Sequence, residues 1–403
     1  MEVVYRCCCG IDVHKKVIVA CLVNGGEQEL REFGTTTSEI KTLANWLTES
    51  GCEMIAMEST GVFWKPLYNL FELMDLDAMI VNAAHMKALP GRKTDVKDAE
   101  WIADLLRHAS YIPNREQREL REITRYRKSL TEERCREVNR LQKILEGANI
   151  KLDSVVKDIT GKSARKLLQR IIDDDIPDSD EVSKLVHGRM RPKLDQIVAS
   201  IEGITTPLQR KLLAQIIDHI DDLNRRIGEL DKLVQEYMAE YEAAIEAIDE
   251  IPGIARRSAE VILAEIGLDM GRFPSAAHLC SWAGVCPGNY QSAGRRKHGK
   301  TTKGNKALKT ILTQCAKSAK TVKSSYFFAQ YQRISARRGK KRATLAVAHS
   351  MLIAIYHILK NKTAFHDLGS DYYDSFNRDR KINSYLKRLK ALGWEPDAIP
   401  SSA

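Results

Sequence analysis

No segment of the chain reaches the ~18 consecutive uncharged apolar residues of a membrane-spanning helix, so the expected partners include no membrane. The nine cysteines contain no CxxC pair and no spaced framework, which excludes a zinc ribbon, a thioredoxin-type site and a disulfide scaffold. A reduced, cytoplasmic protein is expected. The opening MEVVYRCCCGIDVH carries Arg6 and Asp12 and reads as a strand rather than a signal peptide. Its Gly-Ile-Asp is shared with actin-like ATPases, but the Gly/Thr-rich phosphate hairpin they need next is missing, and Val13-His14-Lys15-Lys16 stands there instead. Acid is scarce in one place. Residues 251–350 hold 3 Asp/Glu against 19 Lys/Arg, a net of +16, whereas residues 1–110 hold 16 against 11, a net of −5. The basic block exceeds the whole chain's +10 and points to a polyanionic partner.

With 403 residues and 43% hydrophobic content, two or three domains with proper cores are expected. The first region reads as three short strands (Cys7–Val13, Lys16–Val23, Gln28–Gly34), the Asn24-Gly25 pair marking a hairpin. A helix over Ser38–Glu49 with Ser38 as its N-cap, a strand Glu53–Glu58, a helix Val62–Leu73 and a strand Ala78–Val81 follow. Three antiparallel strands followed by alternating helices and strands is the order of ribonuclease H-like folds. Next, GRKTDVKDAEWIA places Asp95 and Asp98 three residues apart at a helix start, on one face. Asp12 and Glu58 close two strands expected to pair. Four bare carboxylates cannot converge, because like charges raise one another's pKa. They can converge around two divalent cations, and oxygen-only ligands favour Mg²⁺ or Mn²⁺. His14 and Lys15 flank this candidate site, Lys15 as a nucleic-acid contact.

Residues 116–147 read as one long charged helix whose apolar stripe is interrupted by Arg127 and Arg134. Leu212, Ile216, Ile220, Leu223, Ile227, Leu230, Val234, Tyr237 and Tyr241 form a heptad seam. It suits either a coiled coil between protomers or antiparallel packing of two long helices within one chain. Ile251-Pro-Gly-Ile254 before a helix resembles half of a helix-hairpin-helix. In CPGNYQSAGRRKHGKTTKGN, Ser292 sits between small residues with Arg295, Arg296, Lys297, Lys300, Lys303 and Asn305 behind it as candidate nucleic-acid contacts. A serine so placed either attacks a phosphodiester, the cations stabilising the developing charge, or only donates a hydrogen bond to a phosphate.

GIDVHK, MESTG, KTDVKDAEWIA, IPGI and CPGNYQSAGRRKHGKTTKGN, in that order, together resemble the DEDD-type insertion-sequence transposases, also called bridge recombinases. The resemblance implies an α/β plus α architecture: a RuvC-like, ribonuclease H-like domain (1–112), a helical coiled-coil linker (113–248) and a transposase domain with its tail (249–403). It implies Asp12, Glu58, Asp95 and Asp98 as the catalytic metal ligands and Ser292 as the nucleophile, linked to a DNA 5′-phosphate. It further implies donor and target DNA, a structured non-coding bridge RNA, and a homo-oligomer, a tetramer, that pairs the two domain types of different protomers. From the residues alone, a RuvC-like nuclease using water, or a non-catalytic nucleic-acid scaffold, remain the alternatives.

Overall fold

The computed structural model describes residues 5–58, 61–81, 109–110, 113–287, 291–292, 295–296, 301, 304–375 and 378–394. The chain divides into two compact units, Met1–Glu116 and Gln117–Ala403.

In the first unit, β1 (Cys7–Val13), β2 (Val17–Asn24) and β3 (Glu27–Gly34) form an antiparallel meander. Helix α1 (Thr37–Glu49), β4 (Met54–Glu58), α2 (Trp64–Leu73), β5 (Ala78–Val81) and the two-residue β6 (Ala109–Ser110) follow. The sheet order is β3-β2-β1-β4-β5-β6, with β1–β4 and β4–β5 parallel. This mixed order is compatible with a ribonuclease H-like domain. Strand alternation separates two faces. Cys9, Ile11, Val13, Ile55, Met57 and Ile80 pack on Leu43, Leu47, Leu67 and Phe71 of α1 and α2. Cys8, Ala56, Met79 and Val81 form a smaller cluster on the opposite face. One expectation is corrected: Thr36, not Ser38, caps α1. Thr36 has extended backbone and its hydroxyl accepts the Glu39 N–H, which leaves Ser38 inside the first turn.

In the second unit, α3 (Arg115–Gly147) leads into α4 (Leu152–Val155), α5 (Lys162–Ile172), α6 (Ser179–Leu185) and α7 (Leu194–Ile201). These pack on the long α8 (Pro207–Tyr237), which opens with a capping box from Thr206 and Gln209 and with Pro207 at its first position. The α3–α8 pairings run in opposite directions: Arg127 meets Asp231, Leu130 meets Leu223 and Ile227, and Arg134 meets Asn224. Helix-to-helix packing within the chain therefore uses the middle of the heptad seam. The ends of that pattern leave it. Leu213 (0% exposed) takes the inward place instead of Leu212 (45%), Tyr237 is exposed, and Tyr241 lies beyond α8 in a 3₁₀ turn. The interruption at Arg127 is a buried ion pair to Glu260 (2.7 Å).

Helices α9 (Glu242–Asp249), α10 (Arg256–Ile266) and α11 (Ala276–Trp282) come next. A short hairpin of β7 (Gln291–Ser292) and β8 (Arg295–Arg296) precedes α12 (Lys306–Ala319), α13 (Tyr326–Arg338) and α14 (Lys340–Asn361). By length and composition α14 qualifies as a membrane span. In this fold Val347, Met351, Leu352 and Ile355 are buried, and the Tyr356 hydroxyl donates to the Phe273 carbonyl (3.1 Å), so it serves as a core helix. The Ile251–Ile254 turn is a packing device: both isoleucines are buried, and Gly253 (φ +89°) lies so close to the Cys315 carbonyl and the Ala319 backbone that a Cβ would come within 2.6 Å. The tail packs on α13 through Tyr372 and Tyr373 of α15 (Tyr372–Ser375), the Tyr326 and Tyr373 hydroxyls lying 2.7 Å apart. Helix α16 (Arg378–Ala391) follows.

Candidate functional site

The acidic half starts at the central parallel pair of the sheet. Ile11 is in register with Met57, which sets Asp12 and Glu58, the next residues of each strand, side by side at the strand ends. Asp12 belongs to the face of Cys8 and Ala56 rather than to the α1/α2 core. Its carboxylate is half exposed, and Oδ2 lies 3.1 Å from His14 Nε2. His14 is held by a tight turn in which its N–H donates to the Val17 carbonyl. The exposed Lys15 is in the same turn, its carbonyl accepting from the Thr35 hydroxyl. Asp95 and Asp98 lie outside the described residues, and for Glu58 the backbone alone is described. Among the described residues no three metal-ligating side chains come together.

The serine half is a hairpin in the second unit. Ser292 pairs with Arg295 and Gln291 with Arg296 in an antiparallel pair. Pro287 bridges to Thr301 further down. The register puts the serine backbone directly opposite the first cation of the run. Lys297, Lys300 and Lys303 lie outside the described residues.

The neck of this loop is tightly built. Gly304 approaches Gly284 (φ +72°) and the Trp282 carbonyl so closely that a Cβ on it would lie 2.4 Å from the Gly284 nitrogen. Asn305 N–H donates to the Trp282 carbonyl (3.1 Å). The Asn305 side chain caps α12 through Leu308 N–H (3.1 Å) and donates to Glu265 Oε2 (2.6 Å). Glu265 is fully buried in α10, and Arg125 of α3 forks onto both its oxygens (2.7 and 2.8 Å). Arg121 reaches the same carboxylate (3.4 Å) and lies over the Trp282 ring. A buried carboxylate is tolerated only when paired in this way. Sequence reading missed Glu265, Arg121 and Arg125. The available signal was a glutamate inside the apolar run Val261–Ile266. Asn305, expected to touch nucleic acid, has its side chain committed to these two internal partners.

Cysteines 7, 8 and 9 are buried thiols. Burial pushes Cys8 up to about 11, and it also pushes up its neighbour Cys52, to about 12, so neither is a nucleophile near neutrality.

Two family models match the chain. One, for the DEDD transposases of IS110 elements and described as "Transposase", covers residues 9–150. The other, "Transposase IS116/IS110/IS902 family", covers residues 245–332. A curated relative, the "Insertion element IS110 uncharacterized 43.6 kDa protein" of Streptomyces coelicolor, is 25% identical over 320 residues, 68% of this chain and 73% of its own length. The first match takes in Asp12, Glu58, Asp95 and Asp98, and the second takes in the serine hairpin and its neck. Such domains define a DNA-recombining enzyme. The chain belongs to the IS110 family of DEDD transposases, a domain type that implies divalent-metal use.

Proposed function

We propose that the protein is an RNA-guided recombinase that cuts and rejoins donor and target DNA through a covalent link at Ser292. The observation that carries the acidic half of this reading is the register of β1 and β4, which makes Asp12 and Glu58 neighbours at the ends of parallel strands. Oxygen ligands at a strand end, with a half-exposed Asp12, fit a hard cation, Mg²⁺ or Mn²⁺. Asp12, Glu58, Asp95 and Asp98 would hold it, and when bound it supplies charge neutralisation and activation of an oxygen. His14 orients Asp12.

In the proposed step, Ser292 Oγ attacks a backbone phosphorus. The Oγ–P bond forms and the P–O3′ bond breaks. The serine proton ends on the departing 3′ oxygen, giving a 5′-phosphoserine and a free 3′-hydroxyl. Arg295, opposite Ser292, and Arg296, Lys297, Lys300 and Lys303 offset the charge that builds on the phosphate. Residues 1–112, 113–248 and 249–403 act as the acid-bearing, helical-linker and serine-bearing parts. The assembly is a tetramer working in the cytoplasm, at the nucleoid.

The test is a denaturing gel of full-length protein with Mg²⁺, RNA from the flanks of the element, and supercoiled donor and target plasmids. Wild type gives a protein–DNA adduct and recombinant junctions. Ser292→Ala and Asp95→Asn each lose the adduct while still binding DNA. An adduct that survives Ser292→Ala moves the nucleophile elsewhere, and cutting without any adduct in wild type transfers the assignment to a water-using nuclease.

A further inference from the structure

Between α4 and the 3₁₀ turn Gly188–Lys193 lies a cavity of about 360 Å³, in the helical stretch 148–205 to which the foregoing chemistry gives no task. Its floor is apolar, with Val155 and Met190 half-buried. Its rim is cationic: Lys157, Lys162, Arg189 and Lys193 are all exposed, and none forms an ion pair among the described residues. The nearby arginines Arg165, Arg170 and Arg210, by contrast, are each paired with an acid. The one carboxylate on the rim, Asp158, is exposed and accepts within its own turn from the Thr160 N–H and hydroxyl (2.9 and 2.8 Å). Helix α5 also opens here at Gly161 with no side-chain cap and no acid in its first turn.

We propose that this cavity takes one unpaired nucleotide of a bound nucleic-acid strand. The base lies on the apolar floor and the phosphate is held by the Lys157/Lys162/Arg189/Lys193 rim. Four unneutralised cations around an apolar floor complement an anionic group joined to a flat apolar one, and the volume suits a single nucleotide. An acidic peptide would satisfy the rim and leave the floor unused. The inference rests on the reading of the chain as a nucleic-acid enzyme and adds the place at which a strand is gripped.

The experiment uses the full chain and a fluorescent 12-nucleotide single strand, as RNA and as DNA, carrying one 4-thio-pyrimidine for photocrosslinking. AMP and an abasic strand are competitors. Wild type should crosslink within residues 155–193, and the abasic strand should bind about fivefold or more weakly. Arg189→Glu with Lys193→Glu, both exposed, should weaken strand binding about tenfold and lower the salt slope by about 1.4, with an unchanged melting curve. Unchanged affinity and slope in that variant, or crosslinks confined to other segments, overturn the pocket while leaving the recombinase reading standing. Wild type that binds no strand at all overturns both. AMP binding as tightly as the strand, and lost in the double variant, shows a free-nucleotide site and overturns the strand as occupant.

Discussion

Asn305 and Glu265 hold each other 2.6 Å apart where the serine loop returns to the helical body. The same asparagine starts α12, and the same glutamate carries two arginines of α3. The loop that presents Ser292 is therefore anchored through a single buried carboxylate to two helices.

Removing that carboxylate takes both acceptors from the Arg125 fork and one from Arg121, which keeps the Ala264 and Glu265 backbone carbonyls, and it releases the Asn305 amide from the helical body. Glu265→Ala should cost about 3 kcal/mol, and Asn305→Ala about 1 kcal/mol through the lost cap. Urea melts measure both. If the anchor positions the serine, Asn305→Ala should reduce adduct yield more than its melting shift explains; equal yield at full folding would make it a cap alone.

His14 stands 3.1 Å from Asp12. Asp12→Asn removes a proposed ligand and should lower strand cleavage beyond about 100-fold, while His14→Ala, which removes only an orienting partner, should cost about tenfold. Cleavage rates titrated against Mg²⁺ and Mn²⁺ distinguish them: the His14 variant should need more metal, and DNA binding by both should match wild type.

The salt dependence of DNA binding should report the basic hairpin. Neutralising Arg295, Arg296 and Lys297 together should flatten the slope of log K against log salt by up to ~3. An unchanged slope would place these cations off the backbone.

Leu223 is buried against Leu130 within one chain, whereas Leu212 is 45% exposed on the same helix. Leu223→Glu should lower stability by about 4 kcal/mol, visible as lost cooperative melting. Leu212→Glu should change it by less than ~0.5 kcal/mol. A fall in mass by light scattering for Leu212→Glu, with the melt intact, would assign the exposed edge of α8 to protomer contacts.

Alkylation should respect burial. Cys135 is exposed and should react first at pH 8, with Cys7, Cys8 and Cys9 protected until unfolding. Because Cys8 and Cys52 are raised in the fold to about 11 and 12 from an ordinary 9.0, their protonated forms support the native state below pH 9. That support is lost as pH climbs through 9 toward 12, so alkaline melts should fall across this window.

Strands were the legible part, because alternation and the Asn-Gly turn act locally: β1 spans Cys7–Val13 as read, and β2 and β3 shift by one residue at their ends. The heptad seam was legible as a pattern and silent about its partner, since an apolar stripe does not say whether it meets a helix of its own chain. The choice of Leu213 over Leu212 depends on where the bundle's core lies. Glu265 was illegible for the opposite reason. A glutamate reads as surface until its arginines, 140 residues or more away in sequence, are known. The acids Asp12 and Glu58 were read from strand ends alone, and the β1–β4 register makes them neighbours.

The closure between Gly284 and Gly304 makes the serine loop an excursion with fixed ends. Chain added at the tip lengthens a loop whose ends are already held together, and doubling such a loop costs only about 0.6 kcal/mol in closure entropy. The helices on either side would not register the change. As far as folding goes, the loop can accordingly be lengthened at its tip, with Gly284 and Gly304 as the positions that keep its ends together.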